Sequence, residues 1–199
     1  MKPIYDRVQF QRIFPGAAAK IIAPAVTALV EKEVIKARDE MIDEFDDHVI
    51  TREIKDGPHA QNISNTIAGV RGNLFSFIRF ESDTEPTEIV RNALVELSRL
   101  SKAPKSRVIG KRIVFTFQMH VPTMEKLETL TPMPWEPGSW LRAIERGISG
   151  LGYYLYSLRR QFEGSRSGSA IQLKRQLRAA QYKNISYVSG ILRNFYKKL

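Results

Sequence analysis

There is no cysteine anywhere in the 199 residues. That excludes disulfides, thiolate zinc sites and a cysteine nucleophile, and it fits a reducing compartment. Histidine is scarce as well. His48, His59 and His120 stand far apart, and none belongs to a metal-ligating or nucleophile motif. Long apolar runs are also missing. The most apolar stretch, Ile21–Val30, spans ten residues and contains Pro24, whereas a bilayer span needs about 20 apolar residues. No membrane role is expected, and the polar start, Met-Lys-Pro-Ile-Tyr-Asp-Arg, lacks the apolar core and cleavage site of a signal peptide.

Catalytic signatures are absent too. The sequence holds no HExxH, nucleophile elbow, dinucleotide fingerprint or Walker loop. Gly69-Val-Arg-Gly72 has the glycines of a phosphate loop but not its lysine-serine pair or following helix. Asn62-Ile-Ser64 and Asn184-Ile-Ser186 match the glycosylation pattern, which has no meaning without secretion. No enzyme and no cofactor are expected.

Acid is nearly missing from the C-terminal stretch. From Ser157 to Leu199 ten basic residues, among them Arg159, Arg160, Arg166, Lys174, Arg175 and Arg178, face the single acid Glu163. The first 156 residues hold 21 basic and 20 acidic residues, so the net charge of +10 sits almost wholly in this segment. It points to an anionic partner, either nucleic acid or acidic protein, with Tyr182, Tyr187 and Tyr196 available for base stacking. The plain alternative is a solvated basic face.

What is present is a core of ordinary size: 43% of residues are hydrophobic and 26% charged. Residues 1–16 lack a period and end in Pro15-Gly16, which reads as an arm, with Phe10, Ile13 and Phe14 apolar enough to dock on this domain or on a neighbouring subunit. Residues 17–199 read as one α+β domain, with a proline-rich loop at 122–137 and the basic segment at 157–199. From Pro24 to His48, Val26, Val30, Val34, Ala37, Met41 and Phe45 recur at helical spacing, flanked by Leu29, Ile35 and Ile42. Ala17–Ala23 can add a turn before the proline.

The end of this helix is acidic, with Asp39, Glu40, Asp43, Glu44, Asp46 and Asp47 close together. Acids there oppose the helix dipole, so local stability does not account for them. A docking face for a basic partner, centred on Asp43, Glu44, Asp46 and Asp47, is the expectation. A divalent ion on Asp43, Asp47 and His48 is the weaker alternative, because one helix face supplies too few converging ligands.

Val49–Lys55 reads as a short strand and 58–72 as an exposed polar loop. Gly72–Glu81, apolar on both alternating faces, reads as a central strand covered on both sides. A second helix starts near Asp83, Thr84 and Pro86, with Ile89, Ala93, Leu94, Leu97 and Leu100 as its apolar face. Ser101–Ser106 reads as a basic connector. Arg107–Val121 then gives the clearest strand: Ile113, Phe115, Phe117, Met119 and Val121 alternate with a mixed face, and Gly110 marks a bulge or turn.

Glu125–Leu130 reads as one helical turn, and Ser139 as the cap of a helix running to about Ile148. Trp135 and Trp140 flank Glu136–Ser139, either as interface anchors or as pins holding the loop to the core. Tyr153–Tyr156 and Ala170–Leu173 suit a hairpin, and Ile185, Val188, Leu192, Phe195 and Leu199 suit a final helix. The expected fold is therefore α+β: a small, mostly antiparallel sheet packed by a long N-terminal helix, a second helix and a C-terminal helix.

Three stretches carry a likeness to known proteins: Asn73-Leu-Phe-Ser-Phe-Ile-Arg-Phe80, Pro134-Trp-Glu-Pro-Gly-Ser-Trp140 continuing through Ile144-Glu-Arg-Gly-Ile-Ser-Gly-Leu151, and Ser165-Arg-Ser-Gly-Ser-Ala-Ile-Gln172. Together they resemble neck and tail-completion proteins of long-tailed bacteriophages, contractile-tailed ones especially, over most of residues 24–199. The resemblance implies an α/β subunit of a homo-oligomeric ring joining the portal side of the head to the tail. Its partners would be other neck, connector and tail-tube or sheath proteins, with packaged DNA within reach. It implies a place in the virion, assembled in the host cytoplasm, and it carries no catalytic residues. The rival expectation, drawn from the basic segment, is a nucleic-acid-binding protein.

Overall fold

The computed structural model describes residues 7–12, 19–66, 73–109, 112–134, 137–146, 155–156, 171–172 and 185–199. Among them are seven α-helices and a small antiparallel sheet of three strands, so the chain is α+β with a long N-terminal helix. Two compact units are formed. One takes residues up to Asp43 with Asn92–Thr123 and Ile191–Leu199; the other takes Glu44–Arg91 with Met124–Gly190.

Helix α1 runs from Ala19 to Asp47 without a break, Pro24 lying inside it. A proline this near the start removes one backbone donor where few turns precede it. Val26, Val30, Val34, Ala37, Met41 and Phe45 are all buried, as their spacing requires. The stripe is narrower than the sequence suggests, because Leu29 and Ile35 are exposed at 53% and 46%; only Ile42 joins it.

In the first unit the sheet has the order β1-β3-β2, with β1 Arg7–Arg12, β2 Arg99–Ile109 and β3 Arg112–His120. Ile113, Phe115, Phe117 and Met119 of the central strand are buried, in the alternation read from the sequence. Two expectations are corrected here. Ser101–Ser106 is not a connector but the middle of β2. The expected strand from Arg107 to Val121 is two strands of one antiparallel pair, with Ile109 opposite Arg112. Pro104 and two register shifts between Leu100 and Lys105 hid the strand period of β2. Part of the expected arm, residues 7–12, is β1, paired antiparallel with β3 from Arg7↔Gln118 to Arg12↔Ile113.

The C-terminal helix α7, Val188–Lys198, buries Val188, Ile191, Leu192 and Phe195. Its later turns are tied within the first unit: Lys198 Nζ donates to Glu40 Oε2 at 2.6 Å, and the Tyr196 hydroxyl donates to the Pro122 carbonyl.

The second unit overturns the two strands expected on either side of residue 60. Val49–Lys55 is a helix, α2, begun where the Ile50 N–H donates to His48 Nδ1 at 3.3 Å. Its β-branched content suggests a strand, but Ile50, Thr51, Glu53 and Ile54 bury one helical face. Gly72–Glu81 is no strand either. Leu74–Ile78 is a short helix, α3, which Asn73 caps by accepting the Ser76 N–H at 2.8 Å. Arg79 ends it in the left-handed conformation, φ 66° and ψ 43°. Leu74, Phe75, Phe77 and Ile78 are all buried, and an apolar run that short fits a buried helical turn as well as a covered strand.

Of the loop expected over 58–72, residues 58–66 are described; they are mostly exposed but tied at several points. Asn73 Nδ2 donates to the carbonyls of Gly57, Pro58 and Ala60 at 3.2, 3.2 and 2.7 Å. The buried carboxylate of Glu53 accepts the Ser64 N–H at 2.8 Å and the Leu74 N–H at 2.7 Å. Ser64 and Thr66 are buried and share a hydroxyl hydrogen bond of 2.8 Å.

Helix α4, Pro86–Leu97, buries Val90, Ala93 and Leu94, while Ile89 is turned outward. Helix α5 is Met124–Thr129 and α6 is Trp140–Arg146. Ser139 caps α6 as expected: its Oγ accepts the Arg142 N–H at 3.1 Å and lies 2.7 Å from Thr131 Oγ1. Strands β4, Leu155–Tyr156, and β5, Ile171–Gln172, pair antiparallel, as the hairpin reading requires. Among the described residues no helix is long and apolar enough to cross a membrane.

Candidate functional site

The acidic end of α1 is where the sequence places a docking face. Asp43 and Asp47 are exposed there, and Glu44 and Asp46 are half-buried. Asp46 is already committed: both its oxygens accept from Arg91 Nε, at 2.9 and 3.2 Å. Glu40 is bonded to Lys198, and Asp39 to Arg38 at 2.9 Å. Among the described residues Asp43 and Asp47 remain exposed and without an ion pair, fewer charges than the sequence promises.

His48 does not join this face as a ligand. Its Nδ1 lone pair is occupied by the Ile50 N–H, and its ring lies 4.8 Å from that of Tyr187. Burial holds its pKa below the ordinary value, against the pull of the Ser186 backbone, Glu145 and Glu44. Tyr187 is wholly buried, stacked on Phe45 at 5.8 Å, and its hydroxyl meets Thr51 Oγ1 at 2.7 Å. Burial pushes this phenol well above its usual range. Glu145 accepts the Ser189 N–H at 2.8 Å and its hydroxyl at 2.6 Å, fixing the first turn of α7. These polar groups are hydrogen-bonded within a packed network. Among the described residues no group of three or more His, Cys, Asp and Glu is placed to hold a metal ion.

Trp140 is 2% exposed and packs edge-on against Phe80, with ring centroids 5.5 Å apart. This burial fits the reading of Trp140 as a core pin and leaves its side chain little surface to offer a partner. Trp135 lies outside the described residues. So do Arg159, Arg160, Arg166, Lys174, Arg175 and Arg178 of the basic segment.

A second basic surface escapes the sequence reading. The three strands of the first unit carry Arg7, Arg12, Arg99, Lys102, Lys105, Arg107 and Arg112, and no acid at all. Near-neutral charge over residues 1–156 conceals this, because the compensating acids sit on helices and loops. The register Lys105↔Thr116, Arg107↔Val114 and Ile109↔Arg112 puts Lys105, Arg107 and Arg112 on the face opposite Ile113, Phe115 and Phe117. All three are exposed, as is Arg99 beside His120. Assigning charges to elements would have found this surface, had β2 been recognised as a strand. No family model, no curated protein and no solved structure matches this chain.

Proposed function

We propose that this chain is a non-enzymatic structural subunit of a phage head–tail junction: a neck, tail-completion or tail-terminator protein that acts as a ring. The observation that supports this reading is the sorting of charge by element, with acids gathered at the C-terminal end of α1 and no acid in the three strands of the sheet. Complementary surfaces on one chain favour head-to-tail association of copies, and a contact of that kind closes into a ring when its rotation allows. The likeness in residues 73–80, 134–151 and 165–172 supplies the junction context. Its partners are then copies of itself, connector and tail-tube or sheath proteins, and its place is the virion after assembly in the host cytoplasm. Quantitative mass spectrometry of purified particles tests this. A low, ring-sized copy number is expected, and absence from particles overturns it.

A second reading is favoured by the acid-free sheet: a nucleic-acid-binding protein that uses this face and the basic segment. It predicts DNA binding whose affinity falls steeply with salt, by roughly 0.9 in log–log slope per phosphate neutralised. Binding that ignores salt removes this reading.

A further inference from the structure

Residues 81–85, Glu-Ser-Asp-Thr-Glu, join α3 to α4, and every one of them is exposed. The Thr84 N–H and hydroxyl both donate to the Glu81 carbonyl, at 3.1 and 2.8 Å, which holds the segment in a turn. Glu81, Asp83 and Glu85 thus make a compact acidic knob. Acids before α4 suit its dipole, but that effect falls off within a turn and does not call for three. Among the described residues none of these carboxylates has a basic partner, whereas Asp39, Glu40 and Asp46 of α1 each have one.

The mirror situation holds on the sheet. Lys105, Arg107 and Arg112 cluster on one exposed face and have no acidic partner among the described residues. β2 is an edge strand, and like charges at Lys105 and Arg107 oppose its pairing with the β2 of another copy. On β3 the face is lined by Val114, Thr116, Gln118 and His120, so among these residues it offers only the His120 ring for base stacking. An acidic protein surface fits it better than a nucleic acid.

We propose that the Glu81–Glu85 knob of one copy seats on the Lys105–Arg107–Arg112 face of the next. The two surfaces differ, so the contact is heterologous and repeats from copy to copy. This inference rests on the ring reading and names the contact that would build the ring.

Charge reversal tests it by sedimentation velocity on the full chain at low and high salt. One variant carries Glu81→Lys, Asp83→Lys and Glu85→Lys; the other carries Lys105→Glu, Arg107→Glu and Arg112→Glu. All six positions are exposed, and neutral Gln variants provide a milder series. Association of the unaltered chain is expected to weaken with salt. Each reversed chain alone should associate at least about tenfold more weakly, the worth of two exposed charge pairs. Mixing the two reversed chains, or combining all six changes in one chain, should restore association. Unchanged association of either variant, or no restoration, overturns the contact while leaving the ring reading in place. A chain that stays monomeric at every concentration also overturns it, and copy number in particles then decides the junction reading independently.

Discussion

Tyr187 Oη and Thr51 Oγ1 meet at 2.7 Å with both side chains buried, joining positions 136 residues apart in the chain. Neither hydroxyl has water to fall back on, so removing one orphans the other. Tyr187→Phe and Thr51→Val are each expected to cost about 1–3 kcal/mol in denaturant unfolding. The double variant should cost less than the sum of the two, because it leaves no orphan. Strict additivity would mean that the bond contributes nothing.

His48 makes folding stability depend on pH. Burial lowers its pKa in the folded chain below the unfolded value of 6.5, against the opposite pull of the Ser186 backbone, Glu145 and Glu44. The unfolded chain therefore binds more protons as pH falls through that value, and stability drops. A proton on Nδ1 would also end its acceptance of the Ile50 N–H that starts α2. Stability is expected to be fully present above about pH 6.5 and to decline below it. His48→Asn keeps an acceptor at the cap and cannot titrate, so the decline attributable to this site should vanish from its midpoint-versus-pH curve.

Glu53 is a buried carboxylate that holds two backbone donors, Ser64 N–H and Leu74 N–H. Glu53→Ala leaves both unsatisfied and opens a cavity, at an expected cost of about 3–5 kcal/mol. Amide hydrogen exchange should quicken at Ser64 and Leu74 together. Faster exchange at only one would mean that the carboxylate does not couple them.

The two sides of α1 should respond very differently to the same kind of change. Val30 is 1% exposed and Leu29 is 53% exposed. Val30→Ala is expected to cost about 1–2.5 kcal/mol, and Leu29→Ala to stay within about 0.5 kcal/mol. Thermal unfolding of both variants checks this.

The long periodic elements were legible. Six positions of α1 and four of β3 are buried as their spacing requires, because a run that keeps its period over several turns or residues leaves no second solution. The short elements were not. Val49–Lys55 is rich in β-branched residues and became a helix through the His48 cap. Leu74–Ile78, too short to display a period, became one through Asn73 and its three carbonyl contacts. Those bonds join segments separated in sequence, and no local pattern announces them. The candidate site divides in the same way. Exposed acids at Asp43 and Asp47 could be read directly. The partners that remove Asp46 and Glu40 from that face, Arg91 and Lys198, come from distant turns, and the basic sheet needed the register of β2 before its charges could be placed together.

Strand β1 also fixes an order of events. Arg7–Arg12 leaves the ribosome well before its ladder partner Ile113–Gln118, which follows on the order of a hundred residues later. At about 5–20 residues per second, the first strand waits roughly 5–20 s before the central strand exists to receive it. The β2–β3 pair, by contrast, closes locally within moments of synthesis. The sheet is thus born as a two-stranded ribbon and completed last from its N-terminal side. A chain trimmed of its first twelve residues would leave β3, the most apolar strand, as an open edge free to recruit another molecule.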